Sequence, residues 1–576
     1  MDHYPSPQLH TATDPLDPTA WDADTIRAAL PPGGMAPDIR AATGDGDRGI
    51  VVGSTGAFAT LAGQQALTAG GSAVDAALTT AFAQVGLCLG AWVSYAGIFS
   101  LVHYSAATGE VDTLSAGFGT CVAETDPASI PSPPTPSGRT ALVPGFVAGA
   151  YAAHQRFGRL PWKVLWSPAL HLAQHGVPID AVLEAFFTVR ADTLGRTPEA
   201  RAVFAPEGRF LRAGELFRQP TLAATLQAVA EQGPDWMYRG PWAEHFVDLV
   251  RRDGGRIQPS DLADYRPRWG DPLCAEFSGH QVLTLPTPDT GGFALLTALA
   301  LIEAADLGDP TCDPDALYWL IQIIEHSATQ AGRTPISTLD PGRIAALWQE
   351  MRHPGAAATP DSAQRAGHSD FVLTADAEGN IAAVCHSINT AIWGTTGIVV
   401  DGIAIPDPAS FQQQALARLD PGAHLPMPVN PAIALRDGQP VLASSSTGTG
   451  VHAVTVQQLN SVLRLGTDIH TAADQPLIHA KDFILDASIT STIGQLLNDN
   501  QPTARAVDDR FDPALLDAVR ARGQQLTPRA INDPTLPRGH WGAIAHHPGR
   551  TPRYHGARTP FGRGPIRASH PDQPNQ

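Results

Sequence analysis

The stretch that most restricts how this chain can fold runs from residue 367 to 397, GHSDFVLTADAEGNIAAVCHSINTAIWGTTG. Phe371 and Leu373 alternate with smaller or polar neighbours, Ala377-Glu378-Gly379-Asn380 supplies turn chemistry, and Ile381 to Ser387 is again extended in character. The pattern predicts a β-hairpin folded at Glu378 to Asn380. Folding there brings the far end of the second strand back beside the start of the first, so Ser387 and Asn389 arrive next to Ser369. Two hydroxyls and an amide converging at one strand end suit an activated nucleophile.

These residues resemble the start of the small subunit in the gamma-glutamyltranspeptidase family of N-terminal-nucleophile hydrolases. That family's pattern is close to T-T-H-F-S-V-V-D-x-D-G-N, followed by a strand and Y-T-x-N. Without a gap, its nucleophilic threonine falls on Ser369, its helper hydroxyl on Ser387 and its asparagine on Asn389. The second threonine is replaced by Asp370 and the histidine by Phe371. Further matches are Gly70 to Ala77, Val143-Pro144-Gly145, Phe157 to Trp162, Leu285 to Gly292, Ser444 to Gly450 and Trp541 to Ala545, so the resemblance spans roughly residues 49 to 560. It implies an α/β (α+β) fold, a four-layer αββα sandwich with large and small subunits made from one precursor by cleavage between His368 and Ser369. The mature enzyme is then a heterodimer of its own fragments. The matching division is an N-terminal extension over 1–47, a large-subunit part over 48–368 with a helical lobe, a small-subunit part over 369–562 carrying the nucleophile, and a flexible tail over 563–576.

The chemistry explains why cleavage matters. An internal serine hydroxyl is a weak nucleophile until a base takes its proton. Once Ser369 begins a chain, its own α-amine, with an unperturbed pKa near ~7.7 to 8.0, supplies that base. Ser387 and Asn389 are expected to hold the hydroxyl and the amine. The Thr447 to Gly450 loop, with Gly448, Thr449 and Gly450, offers backbone N–H groups to a developing oxyanion. His368 would leave with the large subunit, His386 alternates to the face opposite Ser387, and His452 reads as a packed or surface helix residue.

The substrate grip of the family is missing. The position of the arginine that pairs with a glutamate α-carboxylate falls on Gly117, that of the aspartate for the α-amine on Ser410, and those of two pocket serines on Met427 and Pro428. Glutathione is therefore a poor fit. The resemblance leaves three readings open. One is C–C bond hydrolysis of the kind seen in family members that make 4-alkyl-L-proline units for lincosamide and pyrrolobenzodiazepine antibiotics. The second is hydrolysis or transfer at a gamma-glutamyl or other amide, and the third an uncleaved, non-catalytic relative.

Composition narrows the partners. A formal net charge of -18 argues against a nucleic-acid surface and favours small metabolites. The N-terminus lacks a basic region followed by an apolar run, and no stretch reaches the ~18 apolar residues of a membrane span, so a cytoplasmic protein without a membrane partner is expected. Five cysteines show neither a C-x-x-C pair nor zinc spacing, so neither a metal nor a cofactor is predicted. Elsewhere the pattern predicts a strand at Gly49 to Gly53, helices at Ala57 to Ala69 and Ala73 to Val85 with Ser72 as N-cap, and a flexible approach to the cleavage site over 355–368.

Overall fold

The structure of the protein is a computed structural model that describes residues 14–34, 39–330, 339–353, 369–481, 504–533 and 536–570. Two seven-stranded antiparallel sheets stack face to face. The strands, in chain order, are β1 (Ala42–Gly46), β2 (Gly49–Gly53), β3 (Ile98–Tyr104), β4 (Val111–Ala116), β5 (Arg268–Gly270), β6 (Leu273–Phe277), β7 (His280–Thr284), β8 (Ser369–Ala375), β9 (Ile381–Ser387), β10 (Ala432–Arg436), β11 (Gln439–Gly448), β12 (Gly539–His546), β13 (Tyr554–Arg558) and β14 (Arg567–Ser569). The first sheet has the order β14-β2-β8-β9-β3-β4-β5 and the second β1-β13-β12-β11-β10-β7-β6.

Helices α1 (Ala57–Thr68) and α2 (Ala73–Leu87) cover the outer face of the first sheet. Helices α3 (Thr290–Ala305), α4 (Pro314–Gln330) and α5 (Val451–Leu459) cover the second. The result is the four-layer αββα sandwich. The central hairpin is apolar on both faces because both are covered. Phe371, Leu373, Ala383 and Cys385 point between the sheets, toward Ile433, Ala443 and Ile544. Val372, Ala382 and Val384 point the other way, toward Ala77 and Phe82 of α2. The sheets approach so closely that a Cβ on Gly542 would lie 2.5 Å from the Phe371 ring.

Local signals behave as the chemistry predicts. Ser72 caps α2 through a reciprocal pair: its Oγ accepts from the Asp75 N–H at 3.1 Å and the Asp75 carboxylate accepts from the Ser72 N–H at 2.9 Å. The same carboxylate accepts from the N–H groups of Arg159 at 2.8 Å and Leu160 at 3.1 Å, which fixes the Phe157 to Trp162 segment against the helix. Helix α2 runs to Leu87, two residues beyond the expected Val85.

Two terminal expectations need correction. The segment 1–47 is not merely an extension, since its residues 42–46 form β1 at the edge of the second sheet and its Leu16 and Ala29 are fully buried. The tail beyond residue 562 contributes β14, which pairs with β2. Both strands are short edges made of small or polar residues, and neither shows the alternation that identifies a strand from sequence. The expected flexible approach over 355–368, with His368, lies outside the described residues. Among the described residues no helix is long and apolar enough to cross a membrane.

Candidate active site

Strand pairing sets the site. In the β8–β9 ladder Ser369 stands directly opposite Ser387, and the Ser369 Oγ donates to the Ser387 Oγ at 2.9 Å. The Ser387 Oγ also accepts from the Asn389 backbone N–H at 2.9 Å. Asn389 takes the left-handed conformation (φ 51°), which asparagine tolerates better than most residues, and this turns the chain back over the strand end. Its side-chain amide makes no hydrogen bond among the described residues, so it is available to a ligand or to a chain-terminal amine. The three residues singled out in the sequence therefore come together.

The turn that enforces this register is built on Asp376. One carboxylate oxygen accepts from the backbone N–H groups of Glu378 at 3.1 Å, Gly379 at 3.0 Å and Asn380 at 3.0 Å. The other accepts from the Asn380 amide at 2.8 Å and from the Ala73 N–H at the start of α2, at 3.1 Å.

On the reverse face of the same strand end, Asp370 is buried beneath Ser54, Thr55 and Trp92. Its carboxylate accepts from Ser54 Oγ at 2.7 Å, Thr55 Oγ1 at 2.6 Å and Trp92 Nε1 at 3.1 Å. Burial outweighs these bonds and pushes its pKa from 3.8 up to about 6. Because the native pKa lies above the unfolded one, Asp370 favours the fold fully below 3.8, and that contribution is lost as pH rises through about 6. The loss amounts to roughly 3 kcal/mol. Asp370→Asn removes the titration, so urea unfolding of the variant and the parent should show stabilities that diverge by about that amount across this window. A parallel pair of pH profiles would refute it. His386 also faces this side, as expected, with its ring bonded to the Gln84 side chain at 2.8 Å and its pKa pushed down to about 3 by burial. Neither His386 nor Asp370 is therefore aimed at Ser369.

On the inner face the ladder continues from Ser369 and Ser387 to Ile98, and since Phe99 pairs with Ala116, Gly117 ends the same row. Here the second expected cluster assembles. A Cβ on Gly117 would stand 3.3 Å from the Met427 Cγ and 2.7 Å from the Leu425 carbonyl, so a larger residue would need the chain to move. The Met427 N–H donates to the Asp289 carboxylate at 2.8 Å, the Met427 carbonyl accepts from the Thr290 N–H at 2.9 Å, and the Pro428 backbone packs on Gly291. Asp289 is buried, takes a short hydrogen bond from Ser115, and has its pKa raised by burial.

Ser410 does not join this cluster by its side chain. Its Oγ donates to the Asp407 carbonyl at 2.7 Å within its own turn. The Asp407 carboxylate is in turn saturated by Thr390 Oγ1 at 2.6 Å and the Thr395 N–H at 2.8 Å, with Thr395 Oγ1 as a third donor.

Two charged groups beside this cluster matter here. Asp289 was in view, inside the Leu285 to Gly292 segment. Arg268 was not, because only strand pairing brings it to Ser115, two residues before Gly117. Its Nε and Nη2 are buried without a hydrogen-bond partner among the described residues, and its charge acts on Asp289. A guanidinium thus stands one strand away from Gly117.

At the end of β11, Gly448 has φ 88°, a conformation that favours glycine, and leads through Thr449 and Gly450 into α5. The Gly450 N–H donates to the Arg538 carbonyl at 3.1 Å, whereas the Thr449 N–H finds no acceptor among the described residues. Between Thr449 and Gly450, two of the three expected oxyanion positions, the Thr449 N–H is the one left open.

A family model described as Gamma-glutamyltranspeptidase matches residues 59–565. The glutathione hydrolase proenzyme of Pseudomonas aeruginosa is 27% identical over 505 residues, covering 80% of this chain and 89% of that protein. The Acylase ACY 1 proenzyme of Pseudomonas sp. (strain SE83) is 25% identical over 503 residues, covering 78% and 86%. The crystal structure of cephalosporin acylase from Bacillus halodurans superimposes with a TM-score of 0.76 at 20% identity, covering 92% of this chain and 97% of that one. At that identity the likeness speaks to the fold.

Proposed function

Because this chain belongs to the gamma-glutamyltranspeptidase family, we propose that it is a self-cleaving N-terminal-nucleophile hydrolase with Ser369 as nucleophile, acting on an activated carbonyl of a small metabolite that carries no gamma-glutamyl head group. The observation that carries this reading is the contact of Ser369 Oγ with Ser387 Oγ at 2.9 Å beside Asn389.

In the maturation step the Ser369 hydroxyl attacks the carbonyl carbon of His368. The amide nitrogen leaves as the Ser369 α-amine, and water hydrolyses the resulting ester to a His368 carboxylate and a free hydroxyl. In turnover that amine takes the hydroxyl proton as the oxygen attacks the substrate, and returns it to the leaving group. Ser387 and the Asn389 amide orient the pair, and the Thr449 N–H receives the oxyanion. Water then releases the acyl group.

Gly117, Met427 and Pro428 in place of a charged grip support a substrate other than glutathione. The specific reaction we favour is C–C bond hydrolysis in the making of 4-alkyl-L-proline units, where the leaving atom is a carbon stabilised as an enolate. A gamma-glutamyl p-nitroanilide should not be turned over, whereas a 1,3-dicarbonyl probe should release its acyl part as a carboxylic acid. Turnover of the anilide would sink the substrate reading but not the nucleophile.

Arg268 favours a second reading, an amide hydrolase whose acyl group carries a carboxylate. On that reading glutaryl p-nitroanilide is a substrate, and Arg268→Gln raises its KM about tenfold or more while kcat stays level, as expected for loss of a charge-assisted hydrogen bond. An equal loss with butyryl p-nitroanilide, which has no carboxylate, would rule out recognition by Arg268.

A further inference from the structure

Away from the nucleophile, at the edge of the second sheet, Asp45 of β1 stands directly opposite His555 of β13. A short helix, Ile469–Asp474, packs against β13 and places His470 over the same pair. We propose that Asp45, His470 and His555 form a zinc(II) site joining the N-terminal strand to the C-terminal half of the chain.

The distances fit. Ligand atoms bound at ~2.0–2.1 Å to a tetrahedral zinc stand about 3.4 Å from one another. The Asp45 Oδ1 lies 2.8 Å from the His555 Nδ1 and 3.9 Å from the His470 Nε2, on either side of that value. All three ligand atoms fall within 4.8 Å of one another.

Hydrogen bonding alone leaves the cluster incomplete. The Asp45–His555 contact is a hydrogen bond, but the His470 Nε2 is buried with no hydrogen-bond partner among the described residues, and 3.9 Å is too long to make Asp45 one. A buried imidazole nitrogen without a partner costs stability, and a metal ion satisfies it. Two imidazoles and a carboxylate are a donor set suited to zinc, with the fourth position left to water or to His547, whose ring lies 5.0 Å from that of His555. Asp45 is 44% exposed, so an ion can enter from solvent. Cysteine spacing could not reveal this site, because its ligands come from three elements far apart in the sequence.

The test uses the untagged full-length protein, stripped with a chelator and titrated with zinc chloride by calorimetry and with cobalt(II) by visible absorption. The expected result is one zinc per chain, the intense visible bands of tetrahedral cobalt, and binding weakened at least about tenfold in Asp45→Asn and in His470→Gln. Far-UV circular dichroism checks that each variant is folded. Absence of saturable binding by the parent protein, or undiminished binding by either folded variant, overturns the proposal.

Discussion

Ser369→Ala is expected to leave the protein as one 60.6-kDa chain on a denaturing gel and to lower turnover by about four orders of magnitude or more. The parent protein is expected to resolve into two fragments, the second beginning at Ser369 by intact mass. On the proposed mechanism the two losses share a cause, since the hydroxyl that cuts the chain is the one that later attacks substrate. Ser369→Thr, which restores the family's own nucleophile, should keep both activities. The contact with Ser387 sharpens the expectation: alanine at 369 removes the donor and leaves the Ser387 oxygen with its bond from the Asn389 N–H, so the fold is undisturbed while the chemistry stops. A parent protein that is active as a single intact chain, or an alanine variant that still turns over, would falsify the mechanism.

Asp376→Ala is expected to cost about 3–5 kcal/mol of stability, read as a lower urea midpoint at an unchanged slope. This carboxylate accepts three backbone N–H groups of the hairpin turn, the Asn380 amide and the first N–H of α2, and lies 3.8 Å from the Arg159 guanidinium. Truncation leaves buried donors unpaired, which costs more than the net worth of the bonds themselves. The turn also sets the register in which Ser369 meets Ser387, so cleavage should slow in the same variant. Asp376→Asn keeps an acceptor oxygen and should recover part of the loss. A midpoint shift below about 1 kcal/mol equivalent would show that the turn holds its shape without Asp376.

The hairpin was legible from sequence because Phe371 and Leu373 alternate with smaller or polar neighbours, Ile381 to Ser387 is extended in character, and the turn residues fix where it folds. Helix α2 was legible because Ser72 offers an N-cap and Val74, Ala77, Leu78, Ala81, Phe82 and Val85 recur at helical spacing. The meeting of Ser369 with Ser387 and Asn389 followed from that folding alone. Asp370 was less transparent, since an aspartate after a serine reads as solvated, and only remote segments carrying Ser54, Thr55 and Trp92 make it a buried group. Counting residues against the family pattern brought Gly117 and Met427 into view as expected pocket positions, and the structure brings the two together. Counting could not find Arg268, which arrives there by pairing across a sheet, nor the edge strands β1 and β14, whose small and polar residues carry no period.

The order of strands has a further consequence. In the first sheet β8 and β9, which follow Ser369, lie between β2 and β3, which precede it, and in the second sheet β1 borders β13 while β10 borders β7. Scission ahead of Ser369 therefore cannot set two bodies free. The pieces are laced through each other by hydrogen-bonded ladders in both layers, and parting them means dismantling both. A processed molecule should keep the hydrodynamic size of the unprocessed one, come apart only in denaturant, and regain its shape far less readily afterwards than a chain whose ends were still joined.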